Sequence, residues 1–415
     1  MDTREFKGLE LAARAAIEHR KTYWYVPSAS HGGGYKVDYD ATTCTCEDFE
    51  LRRLPCKHVF AVRFVKERNR GKALPMTGTD DEPVTLPVAR PTYKQNWPAY
   101  NAAQVNEKEL FLDLLADLCR GIEWTPREGR GRPRVPYPDA IFSAVYKVYS
   151  TVSGRRFSTD LRDAKVAGHV DAAPHYNSVF RVLEDATVTP TLKNLVIRSS
   201  LPLKSVETAF AADSTGFSTN KFARWFDAKY GVERKKAEWV KCHLMTGVKT
   251  NIVTAVEVND SGDAPMFKQL AATTRQNFTV NEMSGDKAYS SFANLEFVEE
   301  IGGTPYIAFK SNSRGETRPG IWEKMHAHFT LNREDYLKHY HKRSNVESTF
   351  SAIKRKFGDA VRSKTEVAIR NEVLAKIVCH NLVVCVHEMH ELGIDPAVFG
   401  SPPKAEARII RFPGA

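Results

Sequence analysis

Apolar residues follow helical spacing in some stretches of this chain and strand spacing in others. Leu9 to Ile17 predicts a short amphipathic helix. KTYWYVPSAS and GGYKVDYDA follow as two strand-like runs joined through Gly32-Gly33-Gly34. Val59 to Val65 returns to helical periodicity. The pattern then lapses over 72–100, where Pro75, Pro83, Pro87, Pro91 and Pro98 mark a linker. Between 101 and 200, NEKELFLDLLADLCR, DAIFSAVYKVYSTVSG and NSVFRVLED predict helices. The second has Asp139 near its start, where the helix dipole favours an acid.

From about 206 strands enter. ETAFAADSTGF, EWVKCHLMT and NIVTAVEVN predict three, the last two joined through Gly247. APMFKQLAATTRQ predicts a helix, FTVNEMSGD a strand, SFANLEFVEEIG a helix and TPYIAFK a strand. After a polar segment, one long helix is expected from Arg333 to Phe357 and another from Glu366 to Met389. This succession predicts an α/β fold with a mixed sheet. The expected organisation is a small module over 1–75, a Pro-rich linker over 76–100, a helical region over 101–200, the α/β domain over 201–395 and a tail over 396–415.

Composition narrows the partners. Hydrophobic residues make up 42% and charged residues 27%, which excludes wholesale disorder. Lys plus Arg is 60 against 50 for Asp plus Glu, a net charge of +10. Such a surplus favours a polyanion, either nucleic acid or an anionic membrane. No apolar run reaches the roughly 18 residues of a membrane-spanning helix. MDTREFKGLE lacks the apolar core of a signal peptide, so a cytoplasmic protein is expected.

Three of the seven cysteines crowd together, and His58 joins them in the pattern C-x-C-x9-C-x-H: Cys44, Cys46, Cys56, His58. Three thiolates and an imidazole suit one structural Zn²⁺ in a closed tetrahedral site. So small a module needs the metal, because its apolar core is too small alone. The spacing resembles the SWIM zinc finger, a module associated with DNA or protein binding. Further along, Arg130, Arg132 and Arg134 lie in G-R-G-R-P-R. Its R-G-R-P core resembles an AT-hook, and groove or phosphate contact is expected of these arginines.

The candidate chemistry rests on acids. Asp213 ends an apolar run, AFAA-Asp213-Ser-Thr-Gly-Phe, and Asp286 ends another, VNEMSG-Asp286-Lys-Ala-Tyr. Both are candidates for one edge of one sheet. Glu347 lies on the later helix with Tyr340, Arg343 and Lys354. At about 100° per residue these four fall within roughly a 60° arc. Val346, Phe350, Ile353 and Phe357 form an adjoining apolar stripe that can bury the helix on the sheet. Phosphodiester cleavage uses two divalent ions about 3.5–4 Å apart. Three carboxylates hold such ions through hard oxygen ligands, as suits Mg²⁺. Arg343 and Lys354 would grip phosphates, and Tyr340 would stack on a base or bond the backbone.

Tyr340, Arg343, Glu347 and Lys354 match at all four positions the Y-x2-R-x3-E-x6-K signature of bacterial insertion-sequence DDE transposases. Asp213-Ser-Thr-Gly-Phe and Gly285-Asp286-Lys-Ala-Tyr289 are similar to the regions around that family's two aspartates, and Trp239-Val-Lys241-Cys-His243 to its second strand. The resemblance covers about 206–390, with a weaker echo in 105–200. It implies an RNase H-like fold, with Asp213, Asp286 and Glu347 binding two Mg²⁺ or Mn²⁺ ions. It also implies cut-and-paste transposition, element-end recognition by the 101–200 helices, a homodimer or larger on paired DNA ends, and a nucleoid-associated location. The finger is not part of the usual pattern of these proteins. Two other readings stay open: a domesticated, non-catalytic DNA-binding regulator, and an RNase H-like nuclease without strand transfer. Trp322 has either a base-stabilising or an ordinary packing role.

Overall fold

The computed structural model describes residues 3–14, 17–28, 34–69, 96–125, 134–219, 239–310, 313–315 and 318–396. The chain divides into two compact units, 1–94 and 95–415.

In the first unit, α1 (Thr3–Arg14) precedes β1 (Glu18–Arg20), β2 (Tyr23–Pro27), β3 (Gly34–Asp38) and β4 (Thr43–Cys44), then α2 (Glu47–Arg52) and α3 (Lys57–Asn69). The strands pair antiparallel in sequence order. Val26 and Val37 turn inward beside Cys44, Cys46 and Cys56. A second small cluster joins Leu9 and Ala12 of α1 to Ala61, Phe64 and Val65 of α3. The two helices can approach because residue 8 is glycine: a Cβ there would meet Phe60 Cβ at 2.5 Å. Two clusters of this size bury little apolar surface, so the module needs a staple.

The second unit opens with helices: α4 (Trp97–Arg120), α5 (Tyr137–Ser150), α6 (Gly154–Val166), α7 (Tyr176–Glu184) and α8 (Val188–Ser200). Helices α6 and α8 go beyond the expected set. GRRFSTDLRDAKV is largely polar, yet Phe157, Leu161 and Ala164 form a one-sided buried stripe. In VTPTLKNLVIRSS the proline falls in the first turn, where it is tolerated.

A five-stranded sheet follows, built from β5 (Ala209–Ser218), β6 (Trp239–Gly247), β7 (Val253–Val258), β8 (Glu282–Gly285) and β9 (Thr304–Ile307). Its order is β7-β6-β5-β8-β9. The first three strands pair antiparallel, whereas β8 runs parallel to β5 and β9 parallel to β8. Helices α9 (Asp263–Arg275) and α10 (Phe292–Glu300) supply the connections between β7, β8 and β9. The domain is thus mixed α/β, with the RNase H-like mixed sheet expected. Strand alternation divides β5 between two cores: Phe210 and Ala212 face α9 and α10, while Ala211 and Phe217 face the later helices.

The helix expected over Arg333 to Phe357 is broken. It comprises α12 (Arg333–Tyr340), a 3₁₀ turn (His341–Arg343) and α13 (Ser344–Phe357), and α11 (Ile321–Leu331) occupies much of the stretch read as a polar segment. The break has a packing cause. Tyr336 is buried in one core and its hydroxyl donates to the Ile307 carbonyl at 2.8 Å. Val346, Phe350, Ile353 and Phe357 belong to the other core. One straight helix would not serve both. The last helix, α14 (Glu366–Glu391), lies at the centre of that second core, where the Cys379 and Cys385 thiols donate to the Val145 and Ser199 carbonyls. No described helix is long and apolar enough to cross a membrane.

On α14, burial, aided by Glu391 and Glu207, pushes the Glu388 carboxyl up to about 7. Ionisation therefore costs the folded state more than the unfolded one. The contribution to stability is fully present below the ordinary value of 4.5 and is lost as pH rises through about 7. Glu388→Gln should raise Tm at about pH 8 and leave it unchanged at about pH 4. Equal shifts at both pH values would refute the assignment.

Candidate active site and zinc site

The zinc ligands come from four short pieces of the first unit. Strand β4 ends on Cys44, Cys46 caps α2, Cys56 precedes α3 and His58 lies in its first turn. All four are buried, and their donor atoms lie within 4.8 Å of one another. His58 Nδ1 is 3.8 Å from Cys44 Sγ and 3.7 Å from Cys56 Sγ. The hydrogen bond from Cys44, joined by that from His58, pulls the Cys56 thiol down to about 4, while Cys44 is pushed up. One ready thiolate amid buried sulfurs and an imidazole is a donor set that fits Zn²⁺. Four protein ligands would leave a bound ion no open position, as in a structural site.

The acids gather on the second unit's sheet. In the β5–β8 register Ala212 pairs with Gly285. The next residues are Asp213, still within β5 opposite Leu244 of β6, and Asp286, just past the end of β8, so the two acids are neighbours where the β5–β8 pairing ends. Alternation puts Asp213 on the same face as Ala211, the face that α13 covers. Asp213 Oδ1 accepts from the Ser214 N–H at 2.8 Å. Asp286 caps the 3₁₀ turn Lys287–Tyr289, its Oδ1 accepting from the Ala288 N–H at 2.7 Å.

Arg343 lies between two of the acids, 3.6 Å from Asp213 Oδ2 and 3.0 Å from Glu347 Oε1. Burial raises the Asp213 carboxyl above the usual range; Asp286 and Glu347 add to the rise, and the Ser214 N–H and Arg343 oppose it. Carboxylates gathered in this way need positive charge, and Arg343 supplies part of it. Among the described residues, the only set of three or more donors drawn together as metal ligands is the Cys/His group. The three acids share an electrostatic neighbourhood, with the guanidinium between two of them.

An open cleft of about 660 Å³ runs from Asp213 and Thr215 past Glu347 to Lys354, Arg355 and Asp359. The Lys354 ammonium donates to Thr215 Oγ1 at 2.6 Å, and burial lowers its pKa. Thr215, Arg355 and Asp359 were not singled out from the sequence. Thr215 had a signal there, since it sits two residues beyond Asp213 on the same strand face. The single face expected for Tyr340, Arg343, Glu347 and Lys354 needs correction, because the 3₁₀ turn shifts the helical phase. Arg343 and Glu347 still pair across one turn, and Lys354 still lines the cleft. Tyr340 ends α12, packs against the opposite core and lies under the Arg343 guanidinium at 5.8 Å.

Other expected residues divide. Arg134 is exposed just ahead of α5, whereas Arg130 and Arg132 lie outside the described residues. Trp322 is 7% exposed, its Nε1 donates to the Arg314 carbonyl at 2.9 Å, and it packs on Phe292 and Phe309. That is an ordinary packing role. Nearby, His328 pairs with Asp335 and His339 with Glu282.

Comparison with known proteins bears on both sites. Residues 204–382 match the family described as "Transposase DDE domain", a span that includes all three acids. Residues 35–62 match the SWIM zinc finger. The chain is 26% identical over 209 residues to a probable transposase for insertion sequence element ISA1214 from Archaeoglobus fulgidus. That match covers 50% of this chain and 62% of the relative, so the chain spans about three fifths of the relative's length. Among solved structures, a piggyBac transposase synaptic complex with hairpin DNA is similar with a TM-score of 0.34 and 10% identity, over 72% of this chain and 78% of that one. Asp213 on β5, Asp286 just past β8, Glu347 on a covering helix and a buried Cys₃His cluster thus sit inside the matched spans, a match to a transposase DDE domain that follows a match to a SWIM zinc finger.

Proposed function

We propose that this chain is a DNA transposase that binds the ends of a mobile element, cleaves the strand there and transfers the resulting 3′-hydroxyl to target DNA. The observation that carries the reading is the adjacency of Asp213 within β5 and Asp286 just past β8, with Glu347 linked to Asp213 through Arg343. The three acids would hold two Mg²⁺ or Mn²⁺ ions. Bound there, such ions supply activation of water or a 3′-hydroxyl and charge for the departing oxygen.

The chain's own residues do the rest. Asp213 is held by the Ser214 N–H, which orients Oδ1, while Oδ2 faces Arg343. Asp286 is held in the same manner by the Ala288 N–H. Arg343 carries a planar fork suited to a phosphate, and its present carboxylate partners are the groups that bound cations would engage. Lys354, steadied by Thr215, offers a second cation to the strand across the cleft. The helical region over 101–200, with Arg130, Arg132 and Arg134 ahead of α5, is the proposed surface for the element ends. Pairing two ends calls for a homodimer or larger assembly, at the nucleoid of a prokaryotic cytoplasm. The zinc finger adds a DNA or protein contact.

The test is cleavage and joining of DNA carrying the element's terminal repeats in Mg²⁺ or Mn²⁺, with Glu347→Gln as control. Parent protein should cut and join, and the variant should do neither. Cutting without joining would make the chain a nuclease of this fold. End binding without any cutting would make it a non-catalytic DNA-binding protein.

A further inference from the structure

We infer that the cavity enclosed by α5, α6, α7 and α14 is a second, non-catalytic site that takes the phosphate of a nucleotide, with an aromatic wall for its base. The cavity holds about 610 Å³, within the range of small-molecule sites. It shares Phe357 of α13 with the core, and Lys354 and Arg355 of the same helix line the catalytic cleft.

The main sign is Lys147. It lines the cavity, the residue is only 7% exposed, and its ammonium, which is not fully enclosed, makes no hydrogen bond or ion pair among the described residues. Its ammonium has only the Phe157 ring at 5.9 Å. Buried charges are ordinarily paired, because an unpaired one is costly. The neighbouring buried charges obey that rule. Lys376 donates to the Gly358 and Ala360 carbonyls, and Glu372 accepts from the Arg362 and Ser363 N–H groups. Lys147 is thus a cation without a bonded anion, although Glu184 and Glu372, the latter already held by N–H groups, also line the cavity.

The wall beside it is built for the same charge. Ser153 and Gly154, at the start of the 13-residue helix α6, line the cavity, and Ser153 offers no side-chain cap to the first turn. Helix N–H groups left open in this way favour phosphate. Arg362 and Lys364 add positive charge at the rim. Phe180 also lines the cavity and is 40% exposed. Its ring lies against Gly154, where a Cβ would come within 2.7 Å. An exposed ring beside a phosphate cradle is the arrangement that stacks a base. Burial, reinforced by Arg362 and opposed by Glu372, brings Lys147 down to about 8, so it keeps its charge near neutrality.

The nucleotide has two possible sources: one unit of a bound DNA strand, which rests on the transposase reading, or a free nucleoside monophosphate. The test uses the full chain, Lys147→Met and Phe180→Ala, with dAMP, inorganic phosphate and a terminal-repeat duplex as probes. A thermal shift by dAMP in the parent that is lost in Lys147→Met supports the free nucleotide. No dAMP shift, but duplex affinity about tenfold weaker in Lys147→Met with a shallower salt dependence, supports the strand. Phe180→Ala should weaken dAMP or duplex binding and leave inorganic phosphate unchanged. Without probe, Lys147→Met should melt at or above the parent temperature, because it removes a partly desolvated cation. A lower Tm with unchanged probe responses, or no response to any probe, overturns the site. Glu347→Gln should retain every probe response, so loss of cleavage and loss of this site are separately visible.

Discussion

Asp286→Ala should abolish strand cleavage, by at least about 1,000-fold, or roughly 4 kcal/mol of barrier, while end binding changes little. The asymmetry follows from charge. Phosphate affinity comes from cations, and removing one carboxylate takes away repulsion rather than attraction. Cleavage needs the carboxylate itself as an oxygen ligand. Asp286 has a second task, since its Oδ1 caps the turn Lys287–Tyr289. Asp286→Asn separates the two, because an amide oxygen can still accept from the Ala288 N–H but carries no charge. Both variants should fail to cleave and both should melt like the parent within a few degrees. If Asn cleaves normally and only Ala fails, the residue is a turn cap and the three-acid reading is lost.

Cys56→Ser should release zinc and unfold the first unit, leaving the second unit's melting transition in place. Structural zinc contributes about 10–16 kcal/mol in small modules. Whole domains are stable by only about 5–15 kcal/mol. The module's apolar clusters are few, and Cys44, Cys46 and Cys56 are themselves members of one of them. Loss of the metal therefore removes the staple and leaves buried thiols without their shared partner. Metal content by absorption spectroscopy and limited trypsin digestion would report the two effects. Unchanged zinc, or a first unit that resists trypsin without it, would sink the assignment.

Much of the site was legible in the sequence because its parts are local. The zinc ligands fall within fifteen positions, so spacing alone exposed them. Asp213 and Asp286 were visible as acids ending apolar runs, and Arg343 with Glu347 as an i, i+4 pair. The turn at His341–Arg343 was not legible, because nothing in the local periodicity signals that Tyr336 and Val346 enter different cores. Helix α6 escaped because its three apolar contacts are outnumbered by charged residues. Nothing in the spacing around Lys147 marks it out. Its isolation depends on how α6, α7 and α14 close around it.

The sequence alone determined the mixed α/β class, the Cys₃His cluster and the identity of the candidate acids. Each is a matter of residue type and short spacing, to which backbone geometry responds directly. Tertiary structure decided the rest. The parallel register of β5 with β8 brings together two aspartates 73 positions apart, as the β5–β8 pairing of Ala212 with Gly285 requires. Packing against two separate cores broke the Glu347 helix and put Arg343 between two carboxylates. Those outcomes depend on contacts between distant segments, whose energies no local pattern encodes.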